Sequence, residues 1–228
     1  MLHSPVAAAA GERTPRWRRL ATRLSLRAAS AVLAPSQFTL HLARALVHDP
    51  RRLHHVPHGL PPLDAAEPAP RDGPLLVLGD DRPRKNRGRV AAAHVLAARE
   101  RPDLPPLRFV GPPHDYVDEA EKRRQLQRCR AVVQCSLFEG FGLPVLEAMQ
   151  AGAPLVCSEL APFRELVADD AVFVDPRDIR DIAAGLLRVL EPAVSARLVA
   201  AGPRRAAAFP AGATARRWRE IHTRLVAR

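Results

Sequence analysis

Residues 136–152 read Ser-Leu-Phe-Glu-Gly-Phe-Gly-Leu-Pro-Val-Leu-Glu-Ala-Met-Gln-Ala-Gly, with seven residues between the carboxylates Glu139 and Glu147. Gly140 and Gly142 allow a tight bend that leaves backbone N–H groups exposed. Pro144 suits the first turn of a helix, where its missing N–H would have no partner anyway. A helix from Leu143 to Gln150 then points its positive end at whatever lies over the glycines, which favours an anion such as a phosphate. Glu139 stands at the mouth of the turn and Glu147 one turn into the helix. Two acceptor-only side chains beside an anion site suit a ligand carrying both phosphates and hydroxyls, and a nucleotide-sugar is such a ligand. The plainer alternative is a strand–turn–helix connection whose glutamates are merely solvated.

Glu139 and Glu147 at this spacing, around Gly-Phe-Gly-Leu-Pro and followed by Glu-Ala-Met and Ala-Gly-Ala-Pro, resemble the signature of family 4 retaining glycosyltransferases of the GT-B fold. The resemblance implies an α/β chain: a Rossmann-like parallel sheet with helices on both faces, the C-terminal donor-binding half of GT-B. It also implies roles. Glu139 would hold the sugar hydroxyls and Glu147 the ribose hydroxyls. Gly140 forms part of the turn, and the amides of Phe141, Gly142 and Leu143 would clasp the sugar.

Working outward, Pro74-Leu75-Leu76-Val77-Leu78-Gly79 reads as a first strand. Asp80-Asp81-Arg82-Pro83-Arg84-Lys85-Asn86 follows and opens a helix running to about Arg99. By resemblance Lys85 neutralises the donor diphosphate. The family places an arginine directly after the glycine, where this chain has Asp80, a carboxylate that cannot donate to a phosphate and would repel it. Arg82 and Arg84 are the nearby cations that could compensate. Leu107-Arg108-Phe109-Val110-Gly111 is a second strand. It passes almost at once into Tyr116-Val117-Asp118-Glu119, as if a strand–helix unit of the family were deleted or compressed. Val117 matches the family's residue against the nucleotide base. Apolar runs near 131–134, 154–157 and 171–174 complete a parallel sheet buried on both faces. Ile179, Ile182, Ala183, Leu186, Leu187 and Leu190 recur at a helical period over Asp178 to Leu190.

Upstream, Ala31 to Thr39 resembles the strand and helix cap that close the family's N-terminal domain. His54-His55-Val56-Pro57-His58-Gly59-Leu60 resembles its crossover into the C-terminal one. The histidines invite a metal reading, but adjacent His54 and His55 would point to opposite faces of a strand. The reading is thus of three parts: 1–60, the end of an N-terminal domain and its crossover; 61–190, the Rossmann-like unit; and 191–228, closing helices. Sixty residues are too few for the family's acceptor-binding domain, which implies impaired transfer or dependence on a partner chain such as a separate N-terminal half.

The formal charge is +11 and the isoelectric point about 11.2. Arginine supplies nearly all of the positive charge, since Lys85 and Lys122 are the only lysines. Aromatic residues make up 4% of the chain, so the interleaved basic and aromatic pattern of RNA binders is lacking and nucleic acid is not expected. Arg13, Arg16, Arg18, Arg19, Arg23 and Arg27 share a helix-like segment with Trp17, Leu20 and Leu24. A solvated helix is the favoured reading; a peripheral contact with an anionic membrane surface and a face meant for further structure are the alternatives. No apolar run is long enough to span a bilayer, and Met1 to Pro5 lacks the start of a signal peptide. Cys129, Cys135 and Cys157 read as buried reduced thiols of a cytoplasmic protein. Neither a metal nor a cofactor is expected.

The function implied is transfer of a hexose from a nucleoside-diphosphate sugar to an acceptor, with retention. Two rivals stand beside it: a non-catalytic nucleotide-binding or interaction module, and an Arg-rich anion-binding protein on a Rossmann scaffold.

Overall fold

Two sheets, both wholly parallel, organise the described residues. The computed structural model describes residues 15–63, 70–113 and 115–227. It opens with helix α1 (Arg16–Ala28). Strand β1 (Val32–Ala34), helix α2 (Gln37–Arg44) and strand β2 (Leu53–His55) follow, and β1 pairs with β2, Val32 opposite Leu53. Ser36 caps α2 by accepting from the Thr39 amide at 3.0 Å, which gives one orphan donor of the first turn a partner.

The larger sheet contains β3 (Leu75–Leu78), β4 (Leu107–Val110), β5 (Ala131–Gln134), β6 (Leu155–Ser158) and β7 (Val172–Val174), in spatial order β4-β3-β5-β6-β7. All of its pairings are parallel. Between the strands lie α3 (Arg87–Glu100), α4 (Glu119–Arg128), α5 (Leu143–Gln150) and α6 (Ala161–Val167), and after β7 come α7 (Ile179–Arg188), α8 (Pro192–Ala206) and α9 (Ala211–Val226). Strand residues alternate between two buried faces. Leu75 and Val77 pack with Val90, Ala93 and Ala97 of α3 and Ile182 and Leu186 of α7. Leu76 and Leu78 face Leu146 and Met149 of α5 and Phe163 of α6. Burial on both sides is why the strands read as unbroken apolar runs. Gly185 lets α7 sit close to the sheet, because a Cβ there would lie 2.5 Å from Val174 Cγ1.

Expected strand 154–157 begins instead at Leu155, since Pro154 has no N–H to give a ladder; its carbonyl still accepts from the Val132 amide at 2.8 Å. Lys85 lies in a 3-10 turn, Pro83–Lys85, and the helix after it starts at Arg87 because Asn86 is left-handed, φ 59°. From β4 the chain runs through α4 directly to β5, as the compressed sequence there implied. Consequently β4 is an edge strand, and the chain reverses its direction of travel across the sheet between β3 and β5. In open α/β sheets, ligands bind in the crevice beyond the strand ends at such a reversal.

The segment before β3 is fastened to the last helices. Leu60 donates its amide to Phe209 and accepts from that of Ala211, and the Thr214 hydroxyl donates to the Pro57 carbonyl at 2.8 Å. Helix α1 has no buried residue, and Trp17, Leu20 and Leu24 are exposed, so the basic segment forms a helix over Arg16–Ala28 that packs none of these side chains within the chain. Arg13 and Met1 to Pro5 lie outside the described residues, as does His114. Among the described residues no helix is long and apolar enough to cross a membrane.

Candidate functional site

The ends of β3 and β5 bring Lys85 and Glu139 together. After β3 the backbone turns at Gly79, φ +122°, and the Lys85 stem lies over that glycine; a Cβ there would be 3.0 Å from Lys85 Cε. The ammonium of Lys85 donates to Glu139 Oε1 at 2.7 Å. Arg84 reaches the same oxygen at 3.2 Å and the Ser136 hydroxyl donates to it at 2.9 Å. Lys85 and Arg84 are both buried, as is Gln134 beneath them. With its amide oriented to satisfy both ends, Gln134 accepts from Lys85 at 3.2 Å and donates to the Leu78 carbonyl at 3.1 Å. The Leu137 amide donates to the Arg84 carbonyl at 2.8 Å, which ties the 3-10 turn to the exit of β5. Buried charges persist where they are paired and hydrogen-bonded, and this group meets that condition.

Glu147, within α5, has its own cation. Lys122 of α4 donates to Glu147 Oε1 at 3.0 Å and to Glu119 Oε1 at 2.9 Å. Burial pushes the Glu147 carboxyl above its ordinary range, with Lys122 pulling it back. Burial alone would lower Lys122, but the carboxylates of Glu119 and Glu147 outweigh it and hold the ammonium charged. Both pKa values are raised, because two carboxylates favour the charge on Lys122 while a single ammonium does not offset the burial of Glu147. A cleft of about 110 Å³ adjoins this pair, bounded by Leu60, Pro61, Leu126 and Gln150 among others.

Between the two glutamates runs the glycine turn. The Gly140 carbonyl accepts from the Ser36 hydroxyl at 2.6 Å and the Thr39 hydroxyl at 2.8 Å. Phe141 is buried, edge-on to His58 with ring centroids 5.2 Å apart, so its side chain serves the core and only its backbone faces the turn. Gly142 caps α5 with φ +112°, and a Cβ there would lie 2.6 Å from the Phe163 ring. Leu143, the first residue of α5, is exposed. Val117 is half-buried against the core cluster that contains Phe141 and Leu146.

Asp80 is held by Arg82, whose Nε donates to Asp80 Oδ2 at 2.7 Å. Burial would raise this carboxyl, but the Arg82 hydrogen bonds outweigh it and keep it below its ordinary range. His54 and His55 part as a strand requires. His55 lies 3.2 Å from Glu165, while burial, with the charges of Arg217 and Arg224 adding to it, lowers the pKa of His54. The three cysteines are buried and free.

Sequence reasoning missed Lys122, Ser36, Thr39 and Gln134 as neighbours of the motif. For Lys122 a signal was present. In a chain that otherwise uses arginine, both lysines are paired with a motif glutamate. The hydroxyls lie about a hundred residues upstream of the carbonyl they bind, and no local pattern encodes such a contact.

Residues 114–204 match the family model described as glycosyl transferases group 1. O-antigen chain mannosyltransferase B of Escherichia coli is 38% identical over 85 residues, 37% of this chain and 21% of that protein. The chain spans about a fifth to a quarter of the length of the curated relatives it first matches. Among solved structures, sucrose-phosphate synthase from Thermosynechococcus elongatus superposes with a TM-score of 0.75 at 20% identity, covering 99% of this chain and 67% of that one. The chain has the fold of one half of the GT-B glycosyltransferases, a parallel sheet with helices on both faces. Alr3699/HepE of Anabaena, solved in complex with UDP and glucose, gives 0.70 at 17% identity over 90% of this chain and 66% of that one. The described residues contain a five-stranded parallel sheet with its helices and a short β–α–β piece ahead of it.

Proposed function

We propose that this chain binds a nucleoside-diphosphate sugar beyond the ends of β3 and β5 and serves as the donor side of a hexosyltransferase that retains anomeric configuration. The observation that carries the reading is the meeting of Lys85 and Glu139 at the sheet's reversal point, beside the N-terminus of α5. A buried ammonium and a helix end suit a diphosphate, and a neighbouring carboxylate suits sugar hydroxyls, which supports the reading. Glu147 would accept from the ribose, Val117 would flank the base, and the amides of Phe141, Gly142 and Leu143 would hold the sugar. The UDP and glucose in the structure of Alr3699/HepE support a ligand of this class.

These roles are electrostatic and positional. As the bond from the anomeric carbon to the diphosphate breaks, negative charge grows on the phosphate oxygens. A fixed cation there stabilises the transition state more than the ground state. The acceptor would be presented by a second domain or chain facing the same crevice.

A second reading, nucleotide binding without transfer, is favoured by Asp80, which stands where the signature has an arginine and is neutralised by Arg82. Both readings are tested by calorimetry with a nucleoside diphosphate and with its sugar conjugate. Glu147→Ala should weaken both ligands alike, whereas Glu139→Ala should weaken mainly the conjugate. Equal losses for the two variants would refute the assignment of roles. Hexose transfer to any acceptor by the wild-type chain would dismiss the second reading.

A further inference from the structure

Three arginines surround the loop after β3, and their partners distinguish them. Arg82 lies at the rim, nearly half exposed, with its guanidinium on Asp80. Arg87, in the first turn of α3, donates to the Gly79 carbonyl and lies 5.2 Å from the centre of the Phe109 ring. Arg84 is turned inward. Its side chain is 7% exposed and shares Glu139 Oε1 with Lys85. Two cations therefore converge on one carboxylate oxygen at the strand ends, while the aspartate that displaced the family's arginine is cancelled outside them.

We infer that Arg84 is the second phosphate-binding cation of this site, in the place of the arginine that Asp80 replaces. The inference rests on the donor-site reading above. A guanidinium presents a planar fork that can hold two phosphate oxygens at once, which an ammonium cannot. Because Arg84 and Lys85 are adjacent in a 3-10 turn pinned by the Leu137 amide, both charges are positioned before ligand arrives. An incoming diphosphate would meet a cradle of two cations, with Glu139 keeping Lys85 in place as Arg84 turns to the phosphates. Asp80 and Arg82 form a couple whose charges cancel, so together they add little to the field at the phosphates.

Calorimetry with uridine diphosphate and with inorganic pyrophosphate, in low and in moderate salt, tests this. Arg84→Gln should weaken both probes roughly tenfold to a hundredfold, the range for a charged hydrogen bond. Arg84→Lys should recover part of the loss and keep the salt dependence, and it serves as the informative variant where Arg84→Gln fails to fold by circular dichroism. The charge-neutral double variant Asp80→Asn, Arg82→Gln should bind both probes within about twofold of the wild type. Binding that requires Lys85, by Lys85→Gln, but is unchanged in both Arg84 variants would overturn this inference and leave the donor-site reading intact. A large loss in the double variant would overturn it in favour of Arg82. Absence of binding by the wild type would overturn both the inference and the reading beneath it.

Discussion

Lys122 reaches from α4 to place its ammonium 3.0 Å from a carboxylate oxygen of Glu147 on α5. The chain's other lysine does the same for Glu139 at 2.7 Å. Each glutamate of the motif therefore already has a cation, and a ligand hydroxyl must share or displace it. Such sharing holds the acceptors in position, since a carboxylate fixed by an ammonium loses less rotational freedom when a hydroxyl arrives.

The first prediction concerns pH. Burial raises the Glu147 carboxyl, so on acidification it protonates at a higher pH than an exposed glutamate would. A protonated Glu147 gives up acceptor capacity and releases Lys122. Nucleoside diphosphate affinity should therefore decline as pH falls into that raised range. Glu147→Gln should bind weakly with a flat profile. Stability runs the other way. A carboxyl whose pKa is raised by folding opposes the folded state when ionised, and that cost disappears as pH falls through the folded pKa. Glu147→Gln should then leave the Tm at neutral pH unchanged or raised. A clear fall in Tm, with affinity retained, would show that Glu147 is purely structural.

The second concerns Asp80. Asp80→Arg removes an anion, adds a cation and releases Arg82 from its present partner. Affinity for a nucleoside diphosphate should rise several-fold in dilute buffer, and the gain should shrink as salt screens it over about 10 Å. Transfer to an acceptor should not follow from this change alone. An affinity unaltered at every salt concentration would place position 80 away from the phosphates.

The third tests the turn. Gly142→Ala forces an alanine to φ +112° and drives its methyl into the Phe163 ring. Strain and overpacking should together cost about 2–4 kcal/mol, seen as a Tm lower by roughly 5–15 °C. A stability loss below about 1 kcal/mol would mean that the turn relaxes freely.

The strands of the large sheet were legible because both of its faces are covered, so each strand is a run of apolar residues such as Leu75-Leu76-Val77-Leu78. The motif was legible because Gly142 and Pro144 constrain the backbone by themselves. What could not be read were contacts between segments far apart in the chain. Lys122 lies 25 residues before its partner and Arg84 lies 55 before Glu139. Which of Arg82 and Arg84 turns inward depends on the 3-10 turn, whose hydrogen bond to Leu137 comes from another strand's exit. The start of α3 at Arg87 is set by Asn86, whose left-handed conformation ends the 3-10 turn before it.

The fourth prediction follows from burial of the thiols. Cys135 is enclosed completely, and burial, with the Asp181 charge adding to it, pushes its pKa up to about 12. Burial likewise lifts Cys129 to about 12 and raises Cys157. Since the thiolate is the reactive form, the folded protein should react negligibly with Ellman's reagent at pH 8. All three thiols should titrate rapidly in denaturant. A fast-reacting thiol in the native protein would indicate local opening near β5 or β6.

The hydroxyls of Ser36 and Thr39 make the glycine turn a shared part of two units. The carbonyl of Gly140 is held from the β1–α2 junction, while the amides that follow it start α5. The backbone amide of Gln37 is also anchored on Glu165 of α6, so the junction is fixed on both sides of the turn. A swing of the β1–α2–β2 piece against the sheet would act on the turn like a lever, tilting the amides at the head of α5 and changing what they can hold. A displacement of that upstream piece would therefore be felt at the turn through the carbonyl of Gly140.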